Sequence, residues 1–140
     1  MPSKNRIYVM RFANLMKTKN DDDPDYEEEG TEKADDFNEG NPIILHTSIP
    51  IKGGVNRIRS MGGYPIVALQ SESRQVKIYN LEEPLEELRN ADITKKADRK
   101  TRTLDLSPIS HFKHNYEGYA LEWSPHKLGL LASGSNSGGL

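Results

Sequence analysis

Cysteine is absent from this chain, which excludes disulfides and thiolate metal sites. Long apolar runs are absent too. No stretch approaches the ~18 consecutive apolar residues of a bilayer-spanning helix, and Met1 to Asn20 lacks the apolar centre of a signal peptide. A soluble, unsecreted protein with no membrane partner is therefore expected. Apolar residues make up only 34% of the 140, with a mean hydropathy of −0.76, which suits one partial domain plus unpacked tracts better than a single compact core. The usual equipment of catalysis is also missing. No serine sits in a nucleophile elbow, and Gly134-Ser135-Asn136-Ser137-Gly138-Gly139 lacks the lysine of a phosphate-binding loop. His111, His114 and His126 have no acidic or cysteine ligand in a fixed element beside them, so no zinc site is expected. The chain is read as a non-enzyme with no cofactor, no metal and no small-molecule substrate.

What is present is a set of short alternating segments. From Tyr119 to Pro125, the residues Tyr119, Leu121 and Trp123 alternate with Ala120, Glu122 and Ser124, the period of a half-buried strand. Ser124-Pro125 ends it, His126 to Gly129 turns the chain, and Leu130 to Ser133 begins a second strand. The same order of parts occurs upstream, in Gly53 to Met61 and Pro65 to Ser73. The offset is 63 when Ile58 is set on Leu121 and 64 when Ile66 is set on Leu130, so one residue slips in the turn. The upstream copy continues with a third alternating strand, Gln75 to Asn80, and a fourth is expected at Thr101 to Leu106. Ile7 to Leu15 reads as a further strand, apolar on both faces and so expected to lie between layers.

Four short strands per unit, a strand ending in Ser-Pro, small residues after the second strand and an aromatic near the end of the third are the marks of a propeller blade. The chain resembles the WD-repeat family, and within it the glutamate-rich WD-repeat proteins of ribosome assembly, relatives of the histone-binding WD-repeat proteins. The resemblance rests on Asn5 to Leu15 followed by Lys17-Thr18-Lys19, on the acidic tract that comes next, on Gly53-Gly54-Val55-Asn56-Arg57-Ile58-Arg59, and on Glu117 to Pro125. Two positions depart from the family pattern: Tyr79-Asn80 replaces Trp-Asp, and Lys113-His114 replaces Gly-His. The implied fold is all-β, a partial WD-repeat β-propeller of about one and a half to two blades. The expected divisions are a strand of a first blade at 1–16, an acidic disordered loop at 17–41, a WD-like blade at 42–112 and the start of the next blade at 113–140. His114, Gly118, Tyr119, Trp123, Ser124 and Pro125 match structural positions of the repeat. A blade takes roughly 40 to 45 residues and a ring of seven about 300, so the chain is expected to be a piece of a longer protein.

Charge is segregated along the sequence. Residues 21–40 carry eleven acids (Asp21, Asp22, Asp23, Asp25, Glu27, Glu28, Glu29, Glu32, Asp35, Asp36 and Glu39) against Lys33 alone, a net −10 in a chain whose total is −2. Such a tract repels itself and has little to bury. It is either a solvated insertion with no partner or a polyanionic arm that holds a basic client by long-range attraction. Calcium is not its partner, because Asp21 to Asp25 lacks the spaced oxygens and turn glycine of an EF-hand loop. Residues 81–100 form a second, charged insertion. Pro84 to Arg89 is expected to open a short helix with Leu85 and Leu88 on one face. Lys95, Lys96, Arg99, Lys100 and Arg102 follow as a basic cluster, which is either a solvated loop or shares its function with import signals and RNA contacts.

The resemblance implies an interaction scaffold of the nucleus and nucleolus. Its client would be a basic ribosomal protein, shielded during assembly, with a pre-ribosomal particle as a further partner. A histone is the alternative client, and a non-catalytic scaffold segment of a larger enzyme is a second alternative.

Overall fold

The computed structural model describes residues 5–15, 42–93 and 102–136. The acidic tract from Asp21 to Glu39 and the basic residues Lys95, Lys96, Arg99 and Lys100 lie outside the described residues. Nine strands and one helix occur within them. Strand β1 (Asn5–Ala13) pairs antiparallel with β2 (Ile43–Ile51), and the two-residue β6 (Arg102–Thr103) joins β2 in parallel, making a three-stranded sheet. Strands β3 (Val55–Ser60), β4 (Ile66–Ser71), β5 (Gln75–Asn80) and β7 (Ser110–Lys113) form an antiparallel meander, and β8 (Ala120–Trp123) pairs with β9 (Leu131–Gly134) in a third sheet. Helix α1 (Glu82–Asn90) lies between β5 and β6 in the chain. None of the described helical residues forms a span long and apolar enough to cross a membrane.

The three sheets are stacked. Ile7, Val9, Ile43, Leu45, Ile49 and Ile51 of the first sheet share one apolar cluster with Val67, Leu69 and Tyr79 of the second. On its other face the second sheet puts Ala68 and Val76 against Leu121 and Trp123 of the third. Strand β4 is therefore buried along nearly its whole length, with odd residues facing the first sheet and even residues the third. A strand covered on both sides needs side chains that water does not reward on either face, and Ile66-Val67-Ala68-Leu69 supplies them.

The repeated hairpins keep the slip expected from the sequence. Arg59 pairs with Ala68, and Glu122 pairs with Ala132, which are offsets of 63 on the first strand and 64 on the second. The fourth strand of the second sheet is, however, Ser110–Lys113 and not Thr101 to Leu106. Arg102–Thr103 is drawn away to β2, because Arg6 Nη1 donates to both Ser48 Oγ (2.9 Å) and Thr103 Oγ1 (3.0 Å), and the Leu104 amide donates to Ser48 O (2.9 Å). Strand β1 also departs from expectation, since only the face with Ile7 and Val9 is buried. Tyr8, Met10 and Phe12 are each about half exposed, at 49%, 49% and 52%.

Helix α1 begins two residues before Pro84. Asn80 Oδ1 accepts the Glu82 amide (2.9 Å), and Glu82 and Glu83 place negative charge at the positive end of the helix dipole. Its far end is held by a strand remote in sequence. Arg11 Nη1 donates to the carbonyls of Leu88 (2.8 Å), Arg89 (3.1 Å) and Ala91 (3.2 Å), oxygens that a helix leaves without intrahelical partners. Leu88 enters the first cluster, with Leu85 packed beside it. Glu87 Oε1 pairs with Arg102 Nη1 at 2.6 Å and ties the helix to β6.

Arg11→Met keeps the stem and removes the three charge-assisted bonds. Loss of such donors costs about 1.5–3 kcal/mol. Hydrogen exchange of the α1 amides should quicken by roughly tenfold or more, while the β4 amides stay as protected as before.

Candidate functional site

Of the residues singled out by the repeat pattern, Gly118, Tyr119 and Trp123 lie where the second sheet meets the third, while His114 is bonded to β9 and Ser124-Pro125 stands in the turn between β8 and β9. The junction of the two sheets starts at a β-bulge. Val55 pairs with Ser71 and Arg57 with Gln70, which leaves Asn56 as the extra residue of β3. The bulge turns two consecutive side chains toward the third sheet. Asn56 Nδ2 donates to Glu117 Oε1 (2.8 Å) and to the Gly118 carbonyl (3.1 Å), and Arg57 Nε donates to the Tyr119 carbonyl (3.0 Å). One step further along β3, Arg59 Nε meets Glu122 Oε2 at 2.9 Å. Both partners are substantially solvated, so this pair aligns the strands more than it stabilises them.

Gly118 is packed at the centre of the junction. A Cβ there would stand 2.0 Å from Gly134 O and 2.5 Å from Gln70 Nε2, distances that no side chain tolerates. Gln70 is fully buried, and its Nε2 donates to Gly134 O at 2.9 Å. The backbone of 117–118 thus has to run directly over that amide, and only glycine permits the approach.

Trp123 is buried, with Nε1 donating to the Arg59 carbonyl (3.1 Å). His114 Nε2 lies 2.9 Å from Ser133 Oγ on β9, and its ring meets Phe112 edge-on. Ser124 Oγ accepts the amides of His126 (3.3 Å) and Lys127 (3.0 Å), which closes the turn after Pro125. Tyr119 is placed differently from its sequence reading. It precedes β8, and its ring is 48% exposed instead of sharing the core with Leu121 and Trp123. The neighbouring Glu117 carboxylate raises the Tyr119 phenol above the ordinary 10.0 by its charge, and next by accepting the hydroxyl hydrogen bond at 3.2 Å.

The likeness of Asn56-Arg57 to the same element in the histone-binding relatives implies a structural role, but Gln70 and Ser133 are members of this junction that sequence reasoning missed. The interrupted alternation at Asn56-Arg57 is the signal for a bulge. Gln70 carried a signal as well, as the one amide in the apolar run Ile66 to Gln70. Chemically, the junction joins sheets and presents Arg57, Tyr119 and Glu122 to solvent. No group of three or more metal-ligating side chains occurs among the described residues.

The comparisons with known proteins bear on the whole chain. It is 38% identical over 138 residues to Glutamate-rich WD repeat-containing protein 1 of Dictyostelium discoideum, covering 93% of this chain and 27% of that protein. It is 31% identical over 140 residues to Ribosome assembly protein rrb1 of Schizosaccharomyces pombe, covering 95% of this chain and 26% of the relative. Protein HEAT STRESS TOLERANT DWD 1 of Arabidopsis thaliana is 32% identical over 95 residues, 66% of this chain and 20% of that protein. The chain therefore spans about a quarter of the length of the curated relatives it matches most fully. No family model matches it. No solved structure matches it either.

Two outcomes test the junction. Gly118→Ala should cost at least about 1–3 kcal/mol, the range for forced overpacking, read as a lowered denaturation midpoint. Glu117→Gln should return the Tyr119 titration, followed by phenolate absorbance, toward the ordinary value of 10.0. Because the folded-state value is raised, Tyr119 favours the folded form while protonated. That preference is lost as pH climbs through the raised value.

Proposed function

We propose, from its homology along nearly all its length to a segment of the glutamate-rich WD-repeat proteins, that this chain belongs to a scaffold of ribosome assembly. The chain is all-β, a partial WD-repeat β-propeller, and its stacked sheets provide a rigid frame whose exposed surfaces can meet other macromolecules. The observation that carries the reading is the match over 95% of the chain to a protein named for ribosome assembly.

Within that role the chain acts as an assembly chaperone for a basic ribosomal protein in the nucleus and nucleolus, on the way to a pre-ribosomal particle. Its means is the tract of residues 21–40, with Asp21 to Asp36 as its main part, whose net charge of −10 offers a concentrated counter-charge to a client that would otherwise bind RNA indiscriminately. The tract connects Ala13 and Ile43, the paired ends of β1 and β2, so its two roots are fixed side by side. Function here is binding and shielding, with no chemical step. His114, Gly118, Tyr119, Trp123, Ser124 and Pro125 keep the sheets in register and touch no client.

Deleting residues 21–40 from the intact protein should reduce recovery of basic ribosomal proteins at low salt, with the difference shrinking as salt rises past about 0.15 M, where the Debye length falls to ~8 Å. Equal recovery at low salt by the deleted and intact proteins would remove the tract from the mechanism. Recovery of histones in place of ribosomal proteins would redirect the assignment.

A further inference from the structure

A cleft of about 460 Å³ opens between helix α1 and the turn from β3 to β4. Met61, Tyr64, Pro65 and Leu85 make its apolar walls, and Glu82 and Glu86 stand at its edge. Beside the same helix a second hollow of about 330 Å³ is lined by Met10, Arg11, Leu85, Leu88 and Arg89. Leu85 and Arg89 belong to both. We propose that the two hollows together dock a short segment of the basic client, with a lysine or arginine in the first and an aliphatic neighbour in the second. The inference rests on the basic-client reading above and adds a second, sculpted contact to the polyanionic tract.

Three features of the cleft select a cation. Glu82 and Glu86 are one helical turn apart and therefore neighbours on one face, a like-charge arrangement that weakens a helix until a cation arrives between them. Neither carboxylate is in an ion pair among the described residues, whereas Glu87 on the same helix is already taken by Arg102. Tyr64, 50% exposed, lines the cleft and brings to it an aromatic ring, a group that attracts positive charge. A lysine or arginine matches this mixture because its stem is apolar and only its tip is charged. Phosphate-bearing ligands meet the two carboxylates and are repelled. Arg89 lines both hollows: in the first the two carboxylates outweigh it, whereas in the second Arg11 and Arg89 stand without an acid and disfavour a second cation. That sets the order of the segment, with the basic residue at the Glu82–Glu86 end and the apolar residue over Leu88 and Met10.

The test uses the full-length protein and a fluorescently labelled pentapeptide, Ala-Leu-Lys-Leu-Ala, with a copy in which norleucine replaces lysine. Affinity is read by polarisation for the wild type, for E82Q/E86Q, for the protein lacking residues 21–40, and for that deletion combined with E82Q/E86Q. Glutamine keeps the helix propensity of glutamate, and circular dichroism checks that the helix is retained. Each exposed carboxylate should be worth about threefold and the pair roughly tenfold. That loss should appear with the acidic tract present or absent, while the norleucine peptide should bind weakly to every form. Unchanged affinity in E82Q/E86Q overturns the proposal. Complete loss on deleting residues 21–40 alone also overturns it and leaves the tract as the only cationic site. Peptide binding that depends on Glu82 and Glu86 in a protein that captures no ribosomal client keeps the cleft and rejects the client.

Discussion

The second sheet is covered on both faces, and most of the remaining architecture follows from that constraint. Val67 and Leu69 must satisfy the first sheet, while Ala68 and Gln70 must satisfy the third. Gln70 carries polar atoms into this setting, where an unbonded donor is costly. Its amide finds the Gly134 carbonyl, the 117–118 backbone closes over it, and position 118 consequently has no room for a side chain. A buried glutamine and the β9 backbone that it binds thus determine together the identity of a residue 48 positions away in the chain from that glutamine.

Arginines carry much of the traffic between elements. Arg6 gathers β6 to the first sheet, Arg11 holds the end of α1, and Arg57 and Arg59 reach across to the third sheet. All four use backbone carbonyls or hydroxyls as acceptors, Arg59 in addition to the Glu122 carboxylate, and for these the forked guanidinium, with five donors, is better suited than a lysine. This arrangement makes the second insertion part of the frame over Glu82–Asn90 instead of an appendage. It also leaves Glu82 and Glu86 facing the cleft with their charge uncompensated by the cations that organise the sheets.

Apolar surface remains where a stacked architecture would continue. Ile58 lies on the same face of its sheet as Leu69, yet it is 41% exposed, because the first sheet covers β4 and β5 and does not reach β3. Its counterpart Leu121 is buried, since the second sheet lies against it. The same residue position is therefore core or surface according to what stands beside it, as expected of units that bury their faces against neighbours. The outer face of β1, with Tyr8, Met10 and Phe12, belongs to the same class of surface.

The sequence by itself determined the strands of the two repeated hairpins, the repeat and the segregation of charge. Alternation located β5 to the residue, and the offsets of 63 and 64 anticipated the register of both hairpins, because the period of two and the turn residues are local properties of the chain. What stands next to what was decided by the tertiary structure. The parallel capture of Arg102–Thr103 by β2 and the choice of Ser110–Lys113 as fourth strand depend on partners distant in sequence, such as Arg6 and the residues of β5. Alternation states that a strand has two faces, but only the packed neighbours decide which face is dry. For the same reason Gly118 could be recognised as part of a repeat from its position, while its physical necessity became visible only with Gln70 and Gly134 beneath it.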